Sequence, residues 1–461
     1  MRRLLLAAAL VALGACSGST GDTTSTSTST GGGTGASSTN GSGAGSTSST
    51  SGAGSTSSTS SAGNTGGNGS GSTSGAGLCG QATLFAGNAQ WGQSGADPSA
   101  DDHSPADLPA DGDVALGGFT TAPYHFGELL FSNGSIITHA QLSVWSVDGS
   151  NKLHHILGDT LGDPARVTGP CASAQPAIVW GSALLADGSL LLADSYVNTI
   201  FKVSHPLDPS TCTVSYYAGP DTDITASDLA DLDDAADYGH VDGAAHDARF
   251  DTPRGLTVDA AGNVYVLDGA DQTGHATIRK IAASDQSVTT LASVDTGASP
   301  MAYGSIVAMG GKVYVWDREN SGAANVGRLS VLDPAAATPA LTTLFTGHGS
   351  AFGGDDSSSF KIGSISTDGS KLYVWANSQL FTFDAAGHLS GPIAGVPNLA
   401  LDFDDGYDPQ AAQTGATVQL FSNAANTYLG DVAWTAVGPN HEVYFTGHSE
   451  DYYVEKLSGC P

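Results

Sequence analysis

Residues 239–292 read GHVDGAAHDARFDTPRGLTVDAAGNVYVLDGADQTGHATIRKIAASDQSVTTLA, and this stretch decides the fold. Four short apolar runs lie within it: Gly255–Asp259, Val264–Asp268, Thr277–Ile281 and Ser287–Ala292. The first two are separated by the turn sequence AAGN. Short runs rich in β-branched residues, bounded by Gly, Asn and Asp, are typical of antiparallel strands joined by tight turns. The stretch therefore predicts one four-stranded antiparallel sheet.

The turn and the second strand of this unit recur along the chain. The other copies are NGSIITH (133–139), DGSLLLAD (187–194), GGKVYVWD (310–317), DGSKLYVW (368–375) and PNHEVYFTG (439–447). Repetition of one small sheet at a regular period is the signature of a radial or stacked repeat architecture. Six units of four strands predict an all-β, six-bladed β-propeller.

The copy at 239–292 resembles the NHL repeat, whose pattern DG…ARF..P.GL…D..GNVYV.D……IRKI….V.TLA it matches nearly throughout. The resemblance extends over about 380 residues. Outside the third blade it rests only on the regular spacing of turns and strands. It implies a rigid disc used for binding, in a family whose members differ widely in function.

The strand count predicts how the ring closes. Six sets of first to third strands are present, but only five fourth strands follow them. The run ATLFAG (82–87) has the fourth-strand signature and precedes the first blade. We expect it to complete the last blade, which ends at YYVEKL (452–457), because closure removes the free sheet edges.

Four cysteines lie in the predicted propeller: Cys79, Cys171, Cys212 and Cys460. An even number in an exported chain predicts two disulfides, for which three pairings exist. Ring closure favours Cys79–Cys460, because these residues flank strands that should pair. Cys171–Cys212 then lies inside the second blade. No cysteine spacing is typical of zinc.

The N-terminus predicts export and a lipid anchor. Met1-Arg2-Arg3, an apolar run and small residues before Cys16 form a secretory signal over residues 1–15. Leu13-Gly14-Ala15-Cys16 resembles the bacterial lipobox, which implies a lipidated (palmitate-bearing) Cys16. The alternative is an ordinary signal cleaved near Ala15. Ser17, which follows this cysteine in place of Asp, favours the outer membrane or cell surface as the location of the protein.

A tether precedes the propeller. Residues 16–77 consist almost entirely of Ser, Thr, Gly and Ala, a composition too polar to bury a core. We expect a disordered spacer here, and a propeller domain over residues 78–461. The formal net charge is −30, and about −32 once the two signal arginines are removed (−30 − 2). Such an acidic chain disfavours nucleic acid and favours cations or basic partners.

Long acidic loops between blades are candidate calcium sites. The two richest contain Asp228, Asp231, Asp233, Asp234 and Asp237, and Asp402, Asp404 and Asp405. Ca²⁺ takes six to eight oxygen ligands from flexible loops, but neither loop matches the EF-hand or the RTX nonapeptide. The alternative is a solvated acidic surface without a bound ion.

Other polar residues are expected near the same end of the propeller. Asp194, Asp268 and Asp317 end second strands, and Asp194 with Asn198 is expected to bridge a loop, a structural role. The loop-face histidines are His139, His240, His275, His348 and His448. Glu128 lies where gluconolactonase-like proteins carry Glu-Gly-Pro, but Leu129-Leu130 follows it, so that match fails.

Two functions remain open, together with a purely structural envelope role. The first is a membrane-tethered binding or scaffold module whose acidic loop face takes a protein, glycan or cation-bridged ligand. The second is a metal-dependent enzyme of lactonase or lyase type, using the central channel. No Gly-x-Ser-x-Gly elbow, phosphate loop or paired-carboxylate motif is present, which favours binding over catalysis.

Overall fold

The structure is a computed structural model of the chain. It describes residues 79–87, 128–140, 143–158, 165–224, 238–269, 275–295, 304–320, 325–352, 362–376, 379–395, 432–447 and 453–460. These residues are almost entirely β-structure, with one short 3₁₀ helix at Gly349–Phe352.

The described strands are numbered in chain order. The first half comprises β1 (Gln81–Gly87), β2 (Leu130–Ser132), β3 (Ser135–Ala140), β4 (Ser143–Val147), β5 (Leu153–Gly158), β6 (Gly169–Pro170), β7 (Val179–Leu184), β8 (Leu190–Asp194), β9 (Thr199–Ser204), β10 (Thr213–Ala218), β11 (Gly255–Val258), β12 (Val264–Asp268), β13 (His275–Ile281) and β14 (Val288–Asp295). The second half comprises β15 (Ser305–Met309), β16 (Lys312–Asn320), β17 (Asn325–Leu332), β18 (Leu341–Gly347), β19 (Ile362–Thr367), β20 (Leu372–Ala376), β21 (Gln379–Phe383), β22 (Leu389–Gly395), β23 (Val432–Val437), β24 (Val443–Gly447) and β25 (Tyr453–Ser458).

These strands form six antiparallel sheets, which are the six blades of a β-propeller. Blades 1 to 5 are β2–β5, β7–β10, β11–β14, β15–β18 and β19–β22. Blade 6 has the order β1-β25-β24-β23, so the most N-terminal described strand completes the most C-terminal sheet. The pairing of β1 with β25 runs from Gln81↔Ser458 to Gly87↔Tyr453. The predicted fold and the predicted closure of the ring are both confirmed.

The first strand of each blade lies nearest the propeller axis. Contacts between neighbouring blades join β7 to β11, β11 to β15, β15 to β19 and β19 to β23. Each blade packs its apolar face against the next. Between blades 2 and 3, for example, Leu191, Ile200 and Leu256 share one core cluster, and all three are at most 3% exposed. The hydrophobic core is therefore a ring of interfaces, or seams, between blades. Alternate side chains along each strand pack into the seam on one side of the blade.

Aspartates shape the tight turns that join first to second strands. These turns lie at one end of the propeller, which we call the hairpin end. Asp187 Oδ1 accepts a hydrogen bond from the backbone N–H of Ser189 (2.9 Å), and Asp259 Oδ1 accepts from Ala261 and Asn263 (2.9 Å each). Gly262, at φ 84°, takes the left-handed conformation that the second turn requires. Acidic residues at this end are thus turn-forming groups.

Two disulfides fix the periphery. Cys79 is bonded to Cys460 and Cys171 to Cys212, the pairs that ring closure predicted. The second bond sits beside a feature that the repeat pattern does not contain: β6 adds a fifth strand to the outer edge of blade 2, next to β10. Disulfides of this kind indicate an extracytoplasmic protein. Within the described ranges, no helix has the length and hydropathy needed to cross a membrane.

Candidate functional site

The end of the propeller opposite these hairpins, here called the channel end, carries buried polar groups such as Asp194 and Asp268. First strands begin there and second strands end there, so residues at these two positions converge around the axis. The aspartates predicted to bind calcium, and Cys16 with the tether, lie outside the described residues. The site is therefore built from the residues that begin first strands and end second strands.

Asp194 and Asn198 organise the loops between blades 2 and 3. The Asp194 carboxylate is fully buried and accepts backbone hydrogen bonds from Ala177, Ile178, Tyr196 and Val197 at 2.5–3.2 Å. Asn198 Oδ1 accepts the backbone N–H of Thr252 in the next blade (2.9 Å). Asp194 therefore has the predicted structural role, but it bridges the loops of its own blade through backbone N–H groups, and Asn198 bonds to the next blade instead.

Asp268 is the centre of a buried charge network in blade 3. Its carboxylate accepts Arg279 Nη1 (2.8 Å) and the backbone N–H of Asp251 (2.8 Å), and contacts His240 Nδ1 (3.0 Å). Arg279 is fully buried and also donates to Asp242 Oδ1 (2.9 Å). The hydrogen bond to Asp268 raises the pKa of His240 against the opposing effect of burial. Asp268, which Arg279 holds in place, thus fixes His240 at the surface with Nδ1 turned inward.

The prediction that Asp317 ends a second strand was wrong. Strand β16 continues through Asn320, so Asp317 lies within it, paired with Arg328 of β17. Its carboxylate takes a bidentate contact from that guanidinium, at 2.9 Å to Nε and 2.7 Å to Nη2. Strand β16 is longer than the repeat predicts because it stays paired with β17 as far as Asn320↔Asn325.

The four candidate histidines within the described ranges lie in different places. His139 is buried in blade 1, His240 is held by Asp268, His275 begins β13, and His348 is exposed beside the 3₁₀ helix. His448 lies outside the described residues. Among the residues that are described, no three His, Cys, Asp or Glu side chains are grouped to hold a metal ion.

Glu128 does not match the Glu-Gly-Pro pattern in sequence, but in the structure its side chain extends from blade 1 into the seam with blade 2. The backbone N–H of Ser182 donates to Glu128 Oε2 (2.5 Å), and the Ser182 hydroxyl lies 3.3 Å from the same oxygen. Burial of the carboxyl group raises the pKa of Glu128 to about 8, although both hydrogen bonds oppose the shift. A carboxyl group that is neutral near pH 7 can donate as well as accept a hydrogen bond.

His139 is 3% exposed and faces the same seam. It is two residues from Ile137 on β3 and pairs with Val144 of β4, and both of these residues pack against blade 2. Neither ring nitrogen has a hydrogen-bond partner among the described residues, and burial lowers the pKa of His139 to about 3. A buried polar group without a partner costs about 1–3 kcal/mol, and native proteins commonly offset that cost with an ordered water or a bound ion.

A third feature lies across the next seam. The Arg254 guanidinium stacks over the Trp180 ring, 4.6 Å from its centroid. Gly181 makes this approach possible, because a Cβ there would lie 2.1 Å from the carbonyl oxygen of Arg254. The first strands of blades 2 and 3 therefore come close enough for an aromatic face and a cation to meet at the channel end.

The described strands form a six-bladed β-propeller with buried polar groups, Asp194 and Asp268 among them, at one end. Solved structures similar to this chain include a gluconolactonase from Xanthomonas campestris (10% identity, TM-score 0.44, covering 74% of this chain and 87% of that one). They also include a calcium-binding regucalcin from Agrobacterium tumefaciens (12%, 0.42, 74% and 91%) and a virginiamycin B lyase from Staphylococcus aureus (11%, 0.40, 74% and 83%). No protein-family model matches the sequence, and neither does any curated protein.

The sequence did not predict the hydrogen bond between Ser182 and Glu128. It also did not predict that His139 is buried without a hydrogen-bond partner among the described residues. One signal was available: only five of the 45 acidic residues are glutamates, and Glu128 stands directly before an apolar strand. A histidine at a position where the repeat places an apolar residue was the second signal. Neither shows that both side chains face blade 2, because that follows from the packing of blades.

Proposed function

We propose that this chain is an exported, membrane-tethered binding module that takes its ligand at the channel end of the propeller. The observation that carries the proposal is the asymmetry of the two ends. Aspartates at the hairpin end are engaged by their own turns, as at Asp187 and Asp259. The opposite end carries Glu128, His139 and the Arg254–Trp180 pair, whose side chains form no hairpin turn.

A lipidated Cys16 and a tether over residues 16–77 would hold this disc away from a membrane. Lipobox and composition support that part of the proposal. Because long Ser/Gly-rich segments are flexible, the channel end could meet ligands in any orientation. A rigid scaffold on a flexible tether is suited to capture a ligand from the surroundings.

The chemistry of the channel end favours a glycan that carries a carboxylate. A guanidinium recognises a carboxylate by paired hydrogen bonds, and an aromatic ring offers an apolar surface to a sugar ring. The neutral Glu128 carboxyl group can bond to hydroxyl groups without repelling an anion. The acidity of the whole chain opposes long polyanions, so a short saccharide with one terminal uronic acid fits best.

We expect a uronic-acid trisaccharide to raise the melting temperature of the full mature chain saturably, and a neutral trisaccharide to raise it less. The substitution Arg254→Gln should weaken binding at least tenfold, which is about 1.4 kcal/mol. The matched control is Lys312→Gln, which removes a cation at the hairpin end. An equal response in Arg254→Gln, or no response to either saccharide, would rule out this ligand class.

Calcium binding by the acidic loops is a separate prediction. If the aspartates at 228–237 or 402–405 bind Ca²⁺, the melting temperature should rise with Ca²⁺ and fall again with EDTA. We compare a triple variant of Asp231, Asp233 and Asp234 to Asn with one of Asp402, Asp404 and Asp405 to Asn. The control replaces three turn aspartates, Asp208, Asp285 and Asp333, and loses the same charge. A response that survives when all six aspartates are replaced together would contradict the prediction.

A second candidate function is a metal-dependent enzyme of lactonase or lyase type. One observation favours it: an unpartnered imidazole and a neutral carboxyl group lie at the seam of blades 1 and 2. Its first requirement is a metal site in this chain, which can be tested without a substrate.

A further inference from the structure

Two tryptophans lie half-buried on innermost strands of the propeller. Trp180 is on β7, the first strand of blade 2, and Trp434 is on β23, the first strand of blade 6. The other tryptophans of the described ranges, Trp145, Trp316 and Trp375, are at most 4% exposed. Since first strands begin at the channel end, the two partly exposed indoles lie toward the end at which the proposed ligand binds.

A β-bulge accompanies each of these two tryptophans. In blade 2 the register with β8 shifts between Val179 and Gly181, which leaves Trp180 as the inserted residue. In blade 6 the register with β24 shifts between Val432 and Trp434, so the bulge immediately precedes that tryptophan. Bulges are over-represented beside active sites, where they change the direction of a side chain.

Trp434 faces the seam between blades 6 and 1. The neighbouring Thr435 points to blade 5, because its hydroxyl oxygen lies 3.1 Å from that of Ser364. Ala436 points the other way, into the core cluster that it shares with Leu129 of blade 1. Successive side chains alternate across a strand, so Trp434 lies on the same face as Ala436 and nearer the channel end.

Trp434 takes a position that is glycine in blade 2. Gly181 and Trp434 both pair with the next-to-last residue of the second strand of their blade. At Gly181 the innermost strands of blades 2 and 3 come so close that a Cβ would lie 2.1 Å from the carbonyl oxygen of Arg254. The seam between blades 6 and 1 instead holds an indole at this position and leaves part of it exposed.

Contacts connect the two tryptophans along one side of the channel end. Leu129 of blade 1 packs against blade 6, and the adjacent Glu128 accepts the backbone N–H of Ser182 in blade 2 (2.5 Å). Trp180, two residues before Ser182, stacks with Arg254 of blade 3. Blades 6, 1, 2 and 3 therefore present an indole, a carboxyl group, a second indole and a guanidinium, in that order.

We propose that Trp434 is a second aromatic subsite for the saccharide, separate from the pair of Arg254 and Trp180. This inference rests on the proposed function and deepens it. The terminal uronic acid binds at Arg254 and Trp180, and a later sugar of the same chain stacks on Trp434. An aromatic ring offers an apolar face to a sugar ring whatever the charge of that sugar. The channel end therefore selects an oligosaccharide over a free uronic acid.

The test compares the affinity of the full mature chain for galacturonic acid and for its linear trisaccharide. Trp434→Leu keeps an apolar side chain in the seam, and it should weaken binding of the trisaccharide at least about tenfold while leaving that of the monosaccharide unchanged. Trp434→Phe should keep most of the affinity for the trisaccharide, because an aromatic face remains. Arg254→Gln should weaken the binding of both saccharides.

Oxidation of indoles by N-bromosuccinimide gives a second readout on the wild-type chain. The trisaccharide should slow the oxidation of both Trp180 and Trp434, and galacturonic acid that of Trp180 alone, as located by peptide mass spectrometry. Trp316, which is fully buried, is the internal control. Binding that depends on Arg254, but neither protects Trp434 nor responds to Trp434→Leu, would overturn the second subsite and leave the proposed function standing. Absence of binding by either saccharide would overturn both.

Discussion

Replacing Asp268 by alanine should lower the free energy of unfolding by about 3–5 kcal/mol. Asp268 and Arg279 are both fully buried, and their contact is 2.8 Å. Removing one partner of a buried ion pair leaves an uncompensated charge in a low dielectric, which costs far more than the pair itself contributes. Arg279 keeps Asp242 and two carbonyl oxygens, which sets the lower bound.

The control for this prediction is Asp317→Ala in the neighbouring blade. Its partner Arg328 is 14% exposed, so the guanidinium can be hydrated when the carboxylate is lost, and the cost should be about half as large. Urea unfolding at neutral pH measures both, with the slope of the transition checked for a change in the exposed area. A loss of less than about 1 kcal/mol in Asp268→Ala would show that the network is not energetically central.

The fold could be predicted from sequence because its signals are local. Turn sequences such as Asp187-Gly188 and Gly262-Asn263 fix hairpins, and the apolar strands between them repeat in phase. The closure of the ring followed from counting, since a fourth strand missing at one end was present at the other. The β6 strand was not predicted, because two residues carry no periodic signal.

The candidate site was only partly predictable, because its contacts join residues from different blades. Asp194 could be assigned a structural role, since its partners lie within the same blade and close in sequence. Glu128 and Ser182 are 54 positions apart and meet only when blades 1 and 2 pack. His139 looked like one of several scattered histidines until its strand face was known.

Asymmetry between the two ends has a physical origin in the repeat itself. Turns at the hairpin end, such as those at Asp187 and Asp259, use Asp, Gly or Asn, and the backbone N–H groups of the turn occupy the aspartate side chains. At the other end, the connections from each fourth strand to the next first strand join separate sheets and need not form a tight turn. The ends of the second strands also differ between blades: the position of Leu267 in blade 3 is His139 in blade 1.

The two disulfides should differ in their contribution to stability, and ring closure should be the larger. Cys79 and Cys460 are separated by 381 residues, and Cys171 and Cys212 by 41. In the chain-entropy model these loops correspond to about 6 and about 4 kcal/mol. Replacing each pair by serine makes the same chemical change twice, so the difference between the two double variants isolates loop length.

We therefore expect Cys79→Ser/Cys460→Ser to unfold at a lower urea concentration than Cys171→Ser/Cys212→Ser. Hydrogen exchange should localise the first effect to β1, which pairs with β25 at the edge of its sheet among the described strands, while amides of blade 3 stay protected. In the second variant the exchange should rise only at β6 and the edge of β10. If the two variants were equally stable, or the order were reversed, the hydrogen bonds between β1 and β25 would be sufficient to close the ring, and the covalent bond would be secondary.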